Sequence, residues 1–471
     1  MGQRITVHHV HDGPSWADLR AELAVPESFP AAVLAEADDA VHRPFPPLPD
    51  LTAVPFLTID PPGSLDLDQA MHLERTSDGY RVRYAIADVA SFVTPGGQID
   101  AEAHRRGATA YFPDVRVPLH PPVLAEDAAS LLPEQVRPAV VWDLGLSADG
   151  ELRTTAVSRA LVRSVRRLTY AEVQQAMVAG APDEQLLLLA EIGPRRQALA
   201  RARGAVDIPT PEQEVTDGPD GLPRLSFRAQ LPSEGWNAQI SLLTGIAAAG
   251  LMLGAKIGLL RTLPPPQESD VVSLRRSALA LGLEWPPEAS YGDVVSTLDP
   301  TQPGAAALLT LATRLLRGAG YVAFDGSLPE QPLHSAVAAS YAHCTAPLRR
   351  LADRYVNEVC LAVSAGASVP PWARAALPAL PEEMSASDRR AHELDRAVVD
   401  LAEALVLGPR VGEIFDAVVV DSGTSSGTVQ LREPAVRARC EGADLPLGEQ
   451  VRVRLVTADA LARKVVFALA D

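Results

Sequence analysis

Cysteine is scarce: Cys344, Cys360 and Cys440 are the whole complement in 471 residues. An odd number spaced this widely excludes a disulfide framework and offers no zinc spacing, and it fits a reducing, cytoplasmic setting. Positive charge is also in deficit, with 42 Lys and Arg against 59 Asp and Glu for a formal net charge of −17. A protein that coats polyanions generally needs cations spread over its surface, so that class is excluded while a local basic groove is not. The N-terminus has no charged region followed by an apolar core, and no secretory signal is expected. His8, His9 and His11 there read as a mobile terminus rather than a metal site. Met1-Gly2 with Thr6 meets only a short myristoylation pattern. Long uncharged apolar runs are equally few. Trp236 to Ala255 comes nearest, but Asn237, Gln239, Ser241, Thr244 and its glycines mark a buried core helix, and no membrane partner is expected.

What is present centres on FLTIDPPGSLDLDQAMHL, Phe56 to Leu73. A strand-like run from Val54 to Ile59 closes on Asp60, and Pro61-Pro62-Gly63-Ser64 reads as a turn, with proline presetting φ and glycine supplying φ > 0. Leu65-Asp66-Leu67-Asp68 then alternates, so an extended backbone sends both aspartates to one face. Asp60, Asp66 and Asp68 form a hard-oxygen cluster suited to Mg²⁺ or Mn²⁺, and a solvated acidic turn is the competing reading. Arginines cluster at Arg159–Arg167, Arg195–Arg203 and Arg349–Arg354, as groove walls or as solvated helix faces.

The organisation is α+β and multidomain. Residues 1–50 are a short helical lead-in, with Ser15 and Asp18 as a capping box and a second helix over Pro30 to Val41. Residues 51–365 hold a mixed sheet with surrounding helices. Strands dominate to about Leu146, helical periodicity takes over at Ser164, and helices dominate from Trp236. Residues 366–409 are a proline-rich break and a helix from about Ser387 to Leu407. From 410 to 471 the period switches to two, predicting a five-stranded barrel of the oligonucleotide-binding kind.

TIDPPGSLDLDQA (Thr58 to Ala70), AYFPDVRVPLHPPVLAEDAASLLP (Ala110 to Pro133), ARGAVDIPTPEQEV (Ala202 to Val215) and YAHCTAPLRRLADRYVNE (Tyr341 to Glu358) occur in the order of the ribonuclease II family. The chain resembles that family: an RNB catalytic domain followed by a C-terminal S1 barrel. The resemblance implies a hydrolytic 3′→5′ exoribonuclease that degrades single-stranded RNA to nucleoside 5′-monophosphates with Mg²⁺ or Mn²⁺. It implies metal held by Asp60, Asp66 and Asp68 with Gln69, and Asp66, Asp68 and Arg349 in catalysis. Arg349 suits a bidentate grip on phosphate, with a helical ion pair to Asp353 as its structural alternative. Tyr111 stacks on the terminal base, Arg350 is the second phosphate candidate, and Asp395 stands near the mouth of the site. Asp88 reads as a hydrogen-bonded core residue. A monomer is expected, and no protein partner is inferable.

Two departures qualify the resemblance. Gln69 stands where the family has a fourth aspartate, so a metal there meets one less negative charge. An RNA-binding protein that does not cut is the resulting alternative, and a DNA-directed exonuclease is another. The second departure is that two cold-shock barrels do not fit before Asp60, so RNA gripping falls on the catalytic funnel and the C-terminal barrel. That barrel has only Phe415 and Phe467 as aromatics, so its stacking surface is thin and its grip is expected mostly through Arg432, Arg437, Arg439, Arg452 and Arg454. Digestion close to a duplex is the expected consequence.

Overall fold

The structure is a computed structural model that describes residues 15–217 and 223–470. The histidines near the N-terminus and the Met1-Gly2 pattern lie outside the described residues. The lead-in forms as the capping signals require. Helix Trp16–Glu22 starts where Ser15 Oγ accepts from the Asp18 amide (3.2 Å) and Asp18 Oδ2 accepts from the Ser15 amide (2.8 Å). A second helix follows at Ala31–Val41.

The mixed sheet closes on itself. Strands Phe56–Ile59, Gln69–Thr76, Gly79–Ala87, Val136–Ser147 and Leu152–Leu168 make a five-stranded barrel. Four of its pairings are antiparallel, and the parallel pairing of Phe56–Ile59 with Ser164–Leu168 completes the ring. Strand alternation sorts its side chains. Tyr84, Ile86, Trp142 and Leu144 join one core with Leu189, Ile240, Leu243 and Tyr355, whereas Ala85, Ala87, Ala139 and Ala160 pack in a second core with Val33 and Ala37. Large residues on one face meet helices Glu184–Ala202, Pro232–Ala255 and Leu351–Ser364, and alanines on the other admit the lead-in closely.

Two expectations need correction. The last barrel strand runs through Arg159 and Arg167 to Leu168, held by its parallel pairing with Phe56–Ile59, and the helix begins only at Tyr170, where Thr169 caps it. Arg159 to Arg167 is therefore a strand and not a helix face. The long helix starts at Leu380, seven positions before Ser387. After Trp236 helices dominate, interrupted by Ile257–Thr262 and Gly320–Asp325, which pair as an antiparallel ribbon.

The apolar helix Pro232–Ala255 is long and apolar enough to cross a membrane by length and composition, and Ile240, Leu243, Ala247, Ala248 and Met252 bury it in the first core. The C-terminal segment forms a second closed five-stranded barrel, Ile414–Ser422, Ser426–Leu431, Arg437–Glu441, Gln450–Asp459 and Lys464–Leu469. Its two phenylalanines are not a stacking surface. Phe415 and Phe467 are buried and pack edge to face at 5.8 Å, because they sit on inward positions of their strands. Arg432, Arg439, Arg452 and Arg454 are exposed, whereas Arg437 is half-buried against Phe227.

Candidate active site

Asp60 follows the first barrel strand, its amide donating to Leu168 O at 2.9 Å. The turn then forms as read, with Ser64 N donating to Pro61 O (3.2 Å) and Gly63 at φ 77°, a value glycine adopts without strain. The next four residues do not alternate simply. Leu65 is exposed, while Leu67 and Asp68 are both buried. Ser130 causes this by sewing the segment inward: its Oγ accepts from the Leu67 amide (2.9 Å) and donates to Leu65 O (2.6 Å).

Asp68 Oδ1 accepts from the Leu348 amide at 2.8 Å, and Oδ2 lies 3.3 Å from Arg349 Nε. Burial pushes its carboxyl well above the usual carboxylate range, with Arg349 opposing and Asp66 reinforcing the shift. Asp66 pairs with Arg116, which also reaches Glu126 at 2.8 Å. Burial raises Asp66 as well, against Arg116 and Arg349.

The arginine loop is hung from five neighbours. Asn357 Nδ2 donates to Cys344 O (2.9 Å), Gln69 Nε2 donates to Thr345 O (2.5 Å), and the Ala346 amide donates to Asp353 Oδ1 (2.7 Å). The Leu348 amide reaches Asp68, and Thr109 N donates to Arg349 O at 3.0 Å. Leu351 N donates to Gly107 O at 3.0 Å, so the chain entering strand Ala110–Tyr111 is held beside Arg349. Tyr111 is thereby placed within the field of Arg349, Asp66 and Asp68, and burial raises its hydroxyl to about 12. Tyr111 is 45% exposed and the Arg349 side chain 48%, yet desolvation is the leading effect on both.

Arg350 takes the role weighed for Arg349. It holds Asp353, with Nη2 donating to Oδ1 at 2.8 Å, and its own charge is thereby used. Arg349 lies one residue ahead of the helix N-cap, off the helical spacing to Asp353. Asp395 is half-buried on the helix Leu380–Leu407. The opposite charge within the described residues that bears on it is His392, and no hydrogen bond or ion pair there joins it to Asp66, Asp68 or Arg349. Asp88 is a buried partner of Arg159 (2.7 Å), as read.

Gln69 is engaged at both ends. Its Oε1 accepts from Tyr84 Oη at 2.8 Å, and Tyr84 Oη lies 2.9 Å from Ser241 Oγ. The charge of Asp60 bears on Tyr84. Arg116, Tyr84, Ser241 and the Thr345 carbonyl escaped the sequence reading. Arg116 and Thr345 lay within motif blocks, but nothing local marks them, since their partners are distant in the chain.

The fit to a divalent cation is through few ligands. Asp66 and Asp68 are adjoining, partly desolvated carboxylates whose raised proton affinity a cation would offset. Among the described residues no group of three or more His, Cys, Asp or Glu converges on one point. That donor set suits Mg²⁺ or Mn²⁺ held by a pair of carboxylates plus substrate oxygens, not a complete protein cage.

Asp66 and Asp68 thus precede the second strand of one closed five-stranded barrel, and a second closed five-stranded barrel follows at the C-terminus. The family model of the RNB domain matches residues 49–365, and that of the RNase II-type exonuclease C-terminal S1 domain matches residues 413–470. The chain belongs to the RNB, or ribonuclease II, family. It is 30% identical over 373 residues to exosome complex exonuclease RRP44 homolog A of Arabidopsis thaliana, covering 75% of this chain and 39% of that protein. It is 28% identical over 415 residues to ribonuclease R of Vibrio cholerae, covering 82% and 49%. The chain thus spans half or less of the length of these curated relatives. Among solved structures, the apo form of Mycoplasma genitalium RNase R superposes with a TM-score of 0.85 at 18% identity, over 96% of this chain and 77% of that one. Yeast Ssd1, described as a pseudonuclease, shares the fold at a TM-score of 0.69 and 17% identity, over 91% and 53%.

Proposed function

We propose that the chain is a hydrolytic exoribonuclease that removes nucleoside 5′-monophosphates from the 3′ end of single-stranded RNA with Mg²⁺ or Mn²⁺. One observation carries the reading: a half-exposed Arg349 is held against the buried Asp68, with the half-buried Asp66 and the half-exposed Tyr111 coupled electrostatically to the same pair. Membership of the RNB family supports hydrolysis of RNA; in this reading 51–365 is the catalytic unit and 410–471 the RNA-binding barrel, close to the matched ranges, with 1–50 as lead-in and 366–409 as connector. Buried free thiols at Cys344, Cys360 and Cys440 are compatible with a reducing cytoplasm. The chain acts as a monomer in this reading.

Asp66 and Asp68 would hold the metal, Asp60 is kept as a further candidate ligand only, and a bound divalent ion would supply an activated water and charge neutralisation. Arg349 forks onto the scissile phosphate and offsets the charge that accumulates in the transition state. Asp68, fixed by the Leu348 amide, orients that guanidinium and assists the nucleophile. Tyr111 stacks on the departing base through a π-face that every base shares.

The test is a time course on 5′-labelled single-stranded RNA and matched DNA with Mg²⁺ or Mn²⁺. Stepwise shortening of RNA from the 3′ end, lost in Asp68→Asn, is expected. Binding without cleavage would establish the alternative that the neutral Gln69 favours, a non-cutting RNA binder, and equal cleavage of DNA would broaden the substrate.

A further inference from the structure

We infer that Gln69 is a positioning residue for Arg349 and not a metal ligand. The hydrogen-bond chemistry assigns its amide without ambiguity. A backbone carbonyl only accepts, so the atom facing Thr345 O at 2.5 Å is Nε2, and Oε1 must then face the Tyr84 hydroxyl at 2.8 Å. Tyr84 is buried and its phenol is held protonated by desolvation, so it donates to Gln69 while Ser241 Oγ, 2.9 Å away, donates to it.

The consequence lies in where these bonds lead. Gln69 and Asp68 are adjacent on the first barrel, and they grip the arginine loop at two points, the Thr345 carbonyl and the Leu348 amide. Arg349 follows directly. Two anchors of opposite polarity fix both position and rotation of the loop, because Gln69 donates where Asp68 accepts. A carboxylate at position 69 would set negative charge against the Thr345 carbonyl and cannot donate to it. The residue that looks like a lost metal ligand is the donor half of a clamp.

The inference rests on the exonuclease reading only for its kinetic arm, and a binding arm stands without it. In EDTA, affinity for a 5′-labelled single-stranded RNA is measured by fluorescence anisotropy for the native chain, Gln69→Met, Arg349→Ala and the double variant. Gln69→Met is neutral and of similar volume, so it removes the clamp without adding charge. An affinity loss of roughly tenfold is expected, with no further loss beyond about twofold when it is added to Arg349→Ala. Native affinity in Gln69→Met, or full additivity with Arg349→Ala, would overturn the assignment.

The second arm titrates Mg²⁺ against turnover for Gln69→Glu. A clamp predicts reduced turnover with no tightening of the half-saturating concentration. A ligand role predicts tighter Mg²⁺ and turnover at least native, which overturns the inference. Should Gln69→Met fail to fold by its melting curve, Tyr84→Phe removes only the hydroxyl that orients the amide, and the same non-additivity with Arg349→Ala is expected. If the native chain binds RNA but releases no mononucleotide, the proposed function fails while the EDTA cycle still decides Gln69.

Discussion

Asp68 carries two opposed duties. Its burial raises the proton affinity of the carboxyl, and only the Leu348 amide and Arg349 oppose that in the metal-free protein. The folded value lies above the ordinary 3.8, so the contribution of Asp68 to stability is complete below that pH and is lost as pH rises through the raised value. Asp68→Asn is therefore expected to lower turnover by roughly 10²–10⁴-fold, while its melting temperature in EDTA at pH 8 is no lower than native. A melting temperature well below native would show that the carboxylate is needed for folding. Arg349→Lys tests the fork: an ammonium cannot give two parallel bonds to phosphate, so a loss of about a hundredfold in turnover is expected with RNA binding partly kept. Which arginine pairs with Asp353 was only half legible. TAPLRRLAD presents two neighbours, and the i,i+4 rule points to Arg349 as the partner of Asp353. The helix begins at Leu351 with Arg350 as N-cap, so the rule does not reach Arg349 and Arg350 takes the aspartate.

At the scale of elements, the joint between the hairpin Glu212–Asp217/Pro223–Arg228, the long helix and the C-terminal barrel turns on Glu403. Its Oε1 accepts from Gln213 Nε2 (2.8 Å) and from the Arg437 amide (3.0 Å), and Gln213 Nε2 also donates to Ala435 O (2.6 Å). Burial raises Glu403 from 4.5 to about 7. The folded state therefore holds a proton that the unfolded chain releases, and the stability it contributes is complete below 4.5 and lost as pH rises through 7. Glu403→Gln keeps the acceptor and removes the charge. It should stabilise the protein on the order of 2 kcal/mol at pH 8 and change little at pH 4.5, as denaturant midpoints at the two pH values would show. Equal effects at both would place the charge in solvent. Glu403 sits on an ordinary helical stripe in the sequence, and only the packing of three elements made it a buried acid.

Across the whole molecule, a net charge of −17 means that the proposed RNA binding would fall to local arginines. On the C-terminal barrel Arg452 and Arg454 lie two apart on one strand and are exposed, and the barrel's phenylalanines are turned inward. Its contribution should therefore be electrostatic and blind to base. Arg452→Ala with Arg454→Ala is expected to weaken binding equally for different sequences and to reduce the slope of log K against log salt by about 0.7 for each phosphate that is no longer neutralised. A weakening confined to one sequence would mean base recognition on this face.

The sequence by itself determined the period-two barrel at the C-terminus, the Pro-Pro-Gly turn behind Asp60, the first capping box and the ordered motif blocks. These depend on neighbours along the chain, where φ preferences and side-chain periodicity act directly. The closure of the first sheet, the burial of Asp68 and the coupling of Gln69 to Thr345 across 276 positions were decided only by tertiary structure. A hydrogen bond between distant segments has no local signature, because it depends on which backbone groups the fold leaves facing each other in a dry interior.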